Sequence, residues 1–244
     1  MRAVFGVALG VRDVFTAPTP AALAARLAGA AETGPLVPLR SGGSAAPLCC
    51  VPALSGLSGV YAGLLPHLDG EHPVYGLHTD NLPDSIEELA DHHVTALRAA
   101  HPDGPYHLLG WSFGGLVAHA MAVRLRELGA PVGLLVVVDS VAGAVAEAGP
   151  VEERINRLLG RDSAALAAVA RNNERLLRAY RPPVYPGDVV YFNAAGGANH
   201  ERWRPHVGGR LTVHQLAAAH HEVFQPEHVA EAGALLRNEL RRTR

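Results

Sequence analysis

Residues 106–119 read Y-H-L-L-G-W-S-F-G-G-L-V-A-H, and this stretch decides the fold. A short apolar run, 106–109, reaches Gly110. Ser112 follows after one residue, and Gly114 and Gly115 then open a segment, 116–128, with the apolar spacing of a helix. The pattern is a strand, a sharp turn and a helix. Gly110 and Gly114 bracket the serine as G-x-S-x-G, because a helix folded tightly back on a strand leaves no room for side chains beside the turn. Ser112 is therefore expected at the tip. A hydroxyl held there serves nucleophilic attack on an acyl carbon, with the backbone N–H of Phe113 aimed at the oxygen that becomes negative.

The strand and helix rhythm continues outward on both sides. Downstream, residues 131–138 form the continuous apolar run of a central parallel strand and end at Asp139. Upstream, residues 47–51 form a core strand that ends in Pro52-Ala53-Leu54-Ser55-Gly56. The loop after such a strand supplies a second oxyanion donor from its backbone, and register selects Leu54. Residues 74–77 make another strand. Ser85 and Glu88 then form a capping box before a helix whose apolar face is Ile86, Leu89, Ala90, Val94 and Leu97. His92 and His93 are expected on its solvated or half-buried side. The fold class is α/β: an α/β-hydrolase fold with a doubly wound, mostly parallel sheet, in which sites form outside the carboxyl ends of the strands.

Asp139 stands at that end as the candidate acid. Asp188 precedes the strand 189–193 and so belongs to the opposite end. The last strand, 211–216, leads into a short loop and then to His220 and His221, before a closing helix at 227–240. One of this pair is where the general base belongs, since Ser, Asp, His is the hydrolase order along the chain; His220 is preferred over His221. Residues 141–186 interrupt the strand rhythm with helical runs at 151–159 and 164–180. An insertion there would hang over the carboxyl edge as a lid, and its helices would serve equally as a dimer surface.

Composition narrows the function classes. With 48% hydrophobic and 18% charged residues in 244, the chain buries a substantial core, and a formal net charge of −2 offers no basic face for nucleic acid. No apolar run is long enough to span a bilayer, so neither nucleic acid nor membrane is an expected partner. Cys49 and Cys50 are adjacent, would leave a strand on opposite faces, and cannot form a useful cross-link. Without a secretory start, the sequence fits a reducing cytoplasm.

From about Pro38 onward the chain resembles the thioesterase domain that ends a nonribosomal peptide synthetase. G-P-Y-H-L-L-G-W-S-F-G-G-L-V-A-H at 104–119 is the strongest match, and V-V-D-S at 137–140 carries the family's acid. H-H-E-V-F-Q-P at 220–226 resembles the family's H-H-E-M-x-Q-P, whose first histidine is the base. P-A-L-S-G at 52–56 stands where many relatives carry H-P-x-G-G. Residues 1–29 resemble the final helices of a peptidyl carrier domain, followed by a linker and lead-in strand at 30–46, with the thioesterase domain over 47–244.

The resemblance implies a serine thioesterase with Ser112, Asp139 and His220 as its triad. It would release a peptidyl chain by hydrolysis or cyclisation. The substrate would arrive on the phosphopantetheine of an upstream carrier domain, with no cofactor bound by the domain itself and a monomer expected for the excised domain. A free-standing editing thioesterase, a small-molecule serine esterase and a catalytically silent interaction domain of the same fold are the rival readings.

Overall fold

Continuous apolar runs take the middle of the sheet, because a strand covered on both faces has no solvent side for polar residues to mark. The computed structural model describes residues 35–79, 81–143 and 164–243. The expected carrier fragment at 1–29 and the helical run at 151–159 lie outside them. Seven strands form one sheet: β1 Leu36–Arg40, β2 Leu48–Val51, β3 Val74–Leu77, β4 Tyr106–Trp111, β5 Val132–Val138, β6 Val189–Asn193 and β7 Leu211–Gln215. Their order is β1-β3-β2-β4-β5-β6-β7. β1 runs antiparallel to β3 at the edge, and every other pair is parallel. With the helices α1 Ile86–Ala100, α2 Phe113–Glu127, α3 Ala164–Ala179 and α4 Val229–Arg242, this is the expected α/β-hydrolase fold.

The sheet divides the core in two. Cys49, Leu108, Leu135 and Val137 point to the layer of α1 and α2, whereas Leu48, Cys50, Leu109, Val136 and Val138 point to α4 and the 3-10 helix Gly59–His67. Each fully buried Leu or Val contributes on the order of 1.5–3 kcal/mol of transfer free energy, so both layers are needed to hold the sheet. Cys49 and Cys50 fall on opposite faces as their spacing requires, both buried as free thiols. Burial raises both thiols above the ordinary range, which keeps them protonated and unreactive.

Two local expectations differ in the structure. Ser85 caps α1 by accepting from the Glu88 N–H at 3.0 Å, but the Glu88 carboxylate reaches the N–H of Asp84, at 2.7 Å, one residue earlier than a capping box predicts. His93 is not on a half-buried side: it is 1% exposed, and neither ring nitrogen has a hydrogen-bond partner. Desolvation, with smaller repulsion from His92 and His78, lowers its pKa to about 3, so it is a neutral core residue. His92 does lie outside, bonded to Asn81. Among the described residues, no helix is long and apolar enough to cross a membrane.

Candidate active site

Ser112 sits between β4 and α2 with φ 57° and ψ −125°, a conformation that costs a residue with a Cβ about 1–3 kcal/mol. Its surroundings hold it there. Its N–H donates to the Val138 carbonyl, carrying the β4–β5 ladder one rung past the strand, and its carbonyl accepts from the Gly115 N–H, both at 3.0 Å. A Cβ at Gly110 would stand on the Gly114 carbonyl, and one at Gly114 would stand on the carbonyls of Val51 and Pro52. Any side chain at either place would lever the helix off the strand. Phe113 is the first residue of α2, so its N–H has no acceptor within the helix and lies at the positive end of the helix dipole.

Asp139 follows β5 directly, also with a positive φ of 39°. Its N–H donates to Phe192, extending the β5–β6 ladder. One carboxylate oxygen accepts from His220 Nδ1 at 2.7 Å; the other accepts from Asn199 Nδ2 at 3.2 Å and the Ala194 N–H at 3.4 Å. Burial by itself raises the carboxyl pKa, but the bonds from His220, Asn199 and Ala194 outweigh it and hold the group below its ordinary value. An ionised carboxylate only accepts, so Nδ1 carries the imidazole proton and Nε2 is left with its lone pair. The His220 ring lies beside Trp111, the residue before Ser112, with centroids 5.4 Å apart.

The neighbouring histidine points elsewhere. The His221 side chain is 82% exposed and lies 3.9 Å from Glu222. The turn carrying the pair is closed by a reciprocal bond between Ala219 and Glu222 and anchored by buried Val223 and Phe224. Asp188 accepts from the Arg210 N–H at the far end of the sheet, away from this cluster.

Facing the serine turn is the loop after β2. Leu54 is half-buried there, and its carbonyl accepts from Asn173 Nδ2 of α3 at 3.0 Å. A Cβ at Gly56 would meet the Val169 side chain of the same helix, and Asn172 and Arg175 bond the carbonyl of Pro83. The described part of the 141–186 insertion thus stands directly on this loop. Its later residues Leu176 and Tyr180 join the core below.

Sequence reasoning missed Asn199, Asn193 and Asn173. Asn193 ends β6 and folds the next turn under Asp139 by donating to the carbonyls of Gly197 and Ala194 and to Gln215. Its place at a carboxyl strand end was the one available signal. Among the described residues, no cluster of three or more His, Cys, Asp or Glu is arranged to hold a metal ion.

The thioesterase domain family model matches residues 46–235. The chain is 34% identical to the malpibaldin synthetase of Mortierella alpina over an alignment covering all of this chain and 5% of the synthetase. It is 31% identical to a dimodular nonribosomal peptide synthase of Bacillus subtilis (strain 168), covering 97% of this chain and 12% of that protein. The chain therefore spans only a small part of these curated relatives. Among solved structures, the NocB thioesterase domain in covalent complex with a fluorophosphonate nocardicin G analog superposes with a TM-score of 0.71 at 28% identity, covering 84% of this chain and 99% of that one.

Proposed function

The chain belongs to the thioesterase domain family, and on that premise we propose that it releases a peptidyl chain from the phosphopantetheine thioester of a carrier domain through an acyl-enzyme on Ser112. The observation that carries the reading is the 2.7 Å bond between Asp139 and His220 Nδ1, with the His220 ring against the turn that presents Ser112. His220 Nε2 takes the Ser112 proton as the hydroxyl oxygen attacks the thioester carbonyl. The oxyanion is met by the N–H groups of Phe113 and Leu54. Collapse expels the pantetheine sulfur, which receives the proton from His220, and leaves an ester on Ser112. Water, or an amine or hydroxyl of the bound chain, then gives its proton to His220 and attacks the ester; Ser112 recovers the proton as acid or ring departs.

The His220 side chain is 45% exposed, which suits a base that must be reached by the arm of another domain. The alignment with the malpibaldin synthetase runs over all of this chain, residues 1–29 included, which supports a carrier domain preceding the thioesterase in the same polypeptide. The test compares peptidyl-pantetheine, the same peptide on a carrier domain, and a simple p-nitrophenyl ester, reading products by intact mass. A carrier-bound thioester turned over at least tenfold faster than the ester is expected. Preference for the simple ester would replace the proposal with a small-molecule esterase.

A further inference from the structure

Tyr61 takes no part in the chemistry above, yet it occupies the root of the site. It lies on the 3-10 helix Gly59–His67, is fully buried, and packs edge-on against Phe224 with ring centroids 5.1 Å apart. Phe224 in turn packs on Trp111, and Trp111 on His220. The Tyr61 hydroxyl accepts from the Trp111 N–H at 3.0 Å and donates to the Val51 carbonyl at 2.7 Å. Desolvation pushes the phenol well above its ordinary pKa, so the proton needed for that donation stays in place.

The β2–β4 register shows where this hydroxyl enters the sheet. Leu48 pairs with His107 and Val51 with Gly110, and the His107 N–H donates to the Pro47 carbonyl. In a parallel pair the N–H donors of one strand recur every second residue, so the rungs from β4 fall at His107, Leu109 and Trp111, and the acceptor due for Trp111 is Val51. The Tyr61 hydroxyl bonds both the donor and the acceptor of that last rung. A side-chain oxygen thus stands against both ends of a link that elsewhere in the ladder joins backbone to backbone at about 2.9 Å. The insertion falls where the strands part, with Ser112 next after Trp111 and the loop carrying Leu54 next after Val51. A few residues on, α2 returns so close to this corner that Gly114 touches the Val51 and Pro52 carbonyls.

We infer that the Tyr61 hydroxyl is a wedge that sets the gap between the serine turn and the loop after β2, and is thereby a positioning residue for the tetrahedral intermediate. The inference rests on the reading of Ser112 as nucleophile and does not depend on which N–H of the loop is the second donor. Removing the hydroxyl lets the Trp111 N–H close directly on the Val51 carbonyl and narrows the space the oxyanion must enter. Ground-state binding of the acyl chain, which makes no demand on the oxyanion's space, is spared.

The test is Tyr61→Phe, assayed with an acyl-pantetheine thioester beside the unaltered chain. The expected result is a kcat lower by about 10²-fold with KM within about twofold. Affinity for a boronic acid that forms a tetrahedral adduct on Ser112 should fall by the same factor as kcat/KM, and the crystal structure of the variant should show a direct Trp111–Val51 rung. A lower melting temperature with unchanged kcat, or a loss confined to KM, overturns the wedge.

A measurement on the unaltered chain decides the case if the variant does not fold. In the crystal structure of its boronate adduct, Tyr61 must still bridge Trp111 and Val51, with the tetrahedral oxygen between the Phe113 N–H and the loop after β2. A direct rung in that adduct, or an oxygen held away from the loop, also overturns the inference. An unaltered chain that turns over no thioester refutes the thioesterase reading itself, whereas an active chain with an equally active Tyr61→Phe refutes only the wedge.

Discussion

The two walls of the site are built in different ways. One wall, β4 through Ser112 into α2, is local: the strain at Ser112, the glycines and the Phe113 N–H all come from six consecutive residues, 110–115. The other wall, the loop around Leu54, is assembled from afar. Its carbonyl is held by Asn173, 119 residues away, and its root is spaced from β4 by Tyr61, 50 residues from Trp111. A wall made by local steric necessity has few alternatives. A wall made of long-range hydrogen bonds to backbone can be adjusted one side chain at a time.

Substitutions should separate the walls by size of effect. Ser112→Ala should remove fluorophosphonate labelling and lower turnover by more than about 10⁴-fold, with the thermal unfolding midpoint unchanged or raised because the hydroxyl makes no hydrogen bond among the described residues. Asp139→Asn should cost up to about 10⁴-fold in kcat, since an amide at that place favours the wrong tautomer of His220. His220→Ala should match it, while His221→Ala, an exposed side chain, should stay within about threefold. The reverse ranking of the two histidine variants would move the base to His221. Asn173→Ala, which releases the Leu54 carbonyl without touching the serine wall, should lower kcat by about tenfold and leave labelling of Ser112 detectable. A loss as large as that of Asp139→Asn would mean that the two walls are not separable.

Acid should loosen the packing behind both walls, since His107 lies in β4, His119 in α2 and His93 in α1. His93 of α1 lies near His78, whose ring bonds Ser58 at the end of the loop after β2. Burial lowers His93 to about 3, and lowers His107, beside His72, and His119, bonded to the His206 carbonyl, to about 4. Each folded-state pKa is below the unfolded value of about 6.5, so between the two the unfolded chain binds more protons. The stability from keeping these rings neutral is therefore complete above about pH 6.5 and is lost as pH falls toward 4. The slope is up to about 1.4 kcal/mol per pH unit for each ring. Urea unfolding at pH 7.5, 6 and 5 should show the decline, and His93→Gln should flatten it by about one ring's share.

What was legible in the sequence follows from what is local. G-x-S-x-G announced the serine turn because glycine is demanded there by contacts within the same few residues, and the apolar runs announced buried parallel strands because neither face meets water. Asp139 and His220 could be placed at carboxyl strand ends by counting elements, since a parallel sheet puts every such end on one side. His93 was misjudged because a histidine pair on a helix gives no sign of how deeply a neighbouring loop covers it. Asn173, Asn199 and Tyr61 carried no pattern at all.

The order of the proposed chemistry along the chain was thus a property of sequence: Ser112, Asp139 and His220 each follow a strand, and strands are readable from apolar periodicity alone. Tertiary structure alone decided which of two adjacent histidines meets Asp139, what holds the Leu54 carbonyl, and how far β2 stands from β4 beside Ser112. Those depend on hydrogen bonds between groups 10 to 119 residues apart, whose partners are set by how layers stack and not by what precedes or follows them in the chain.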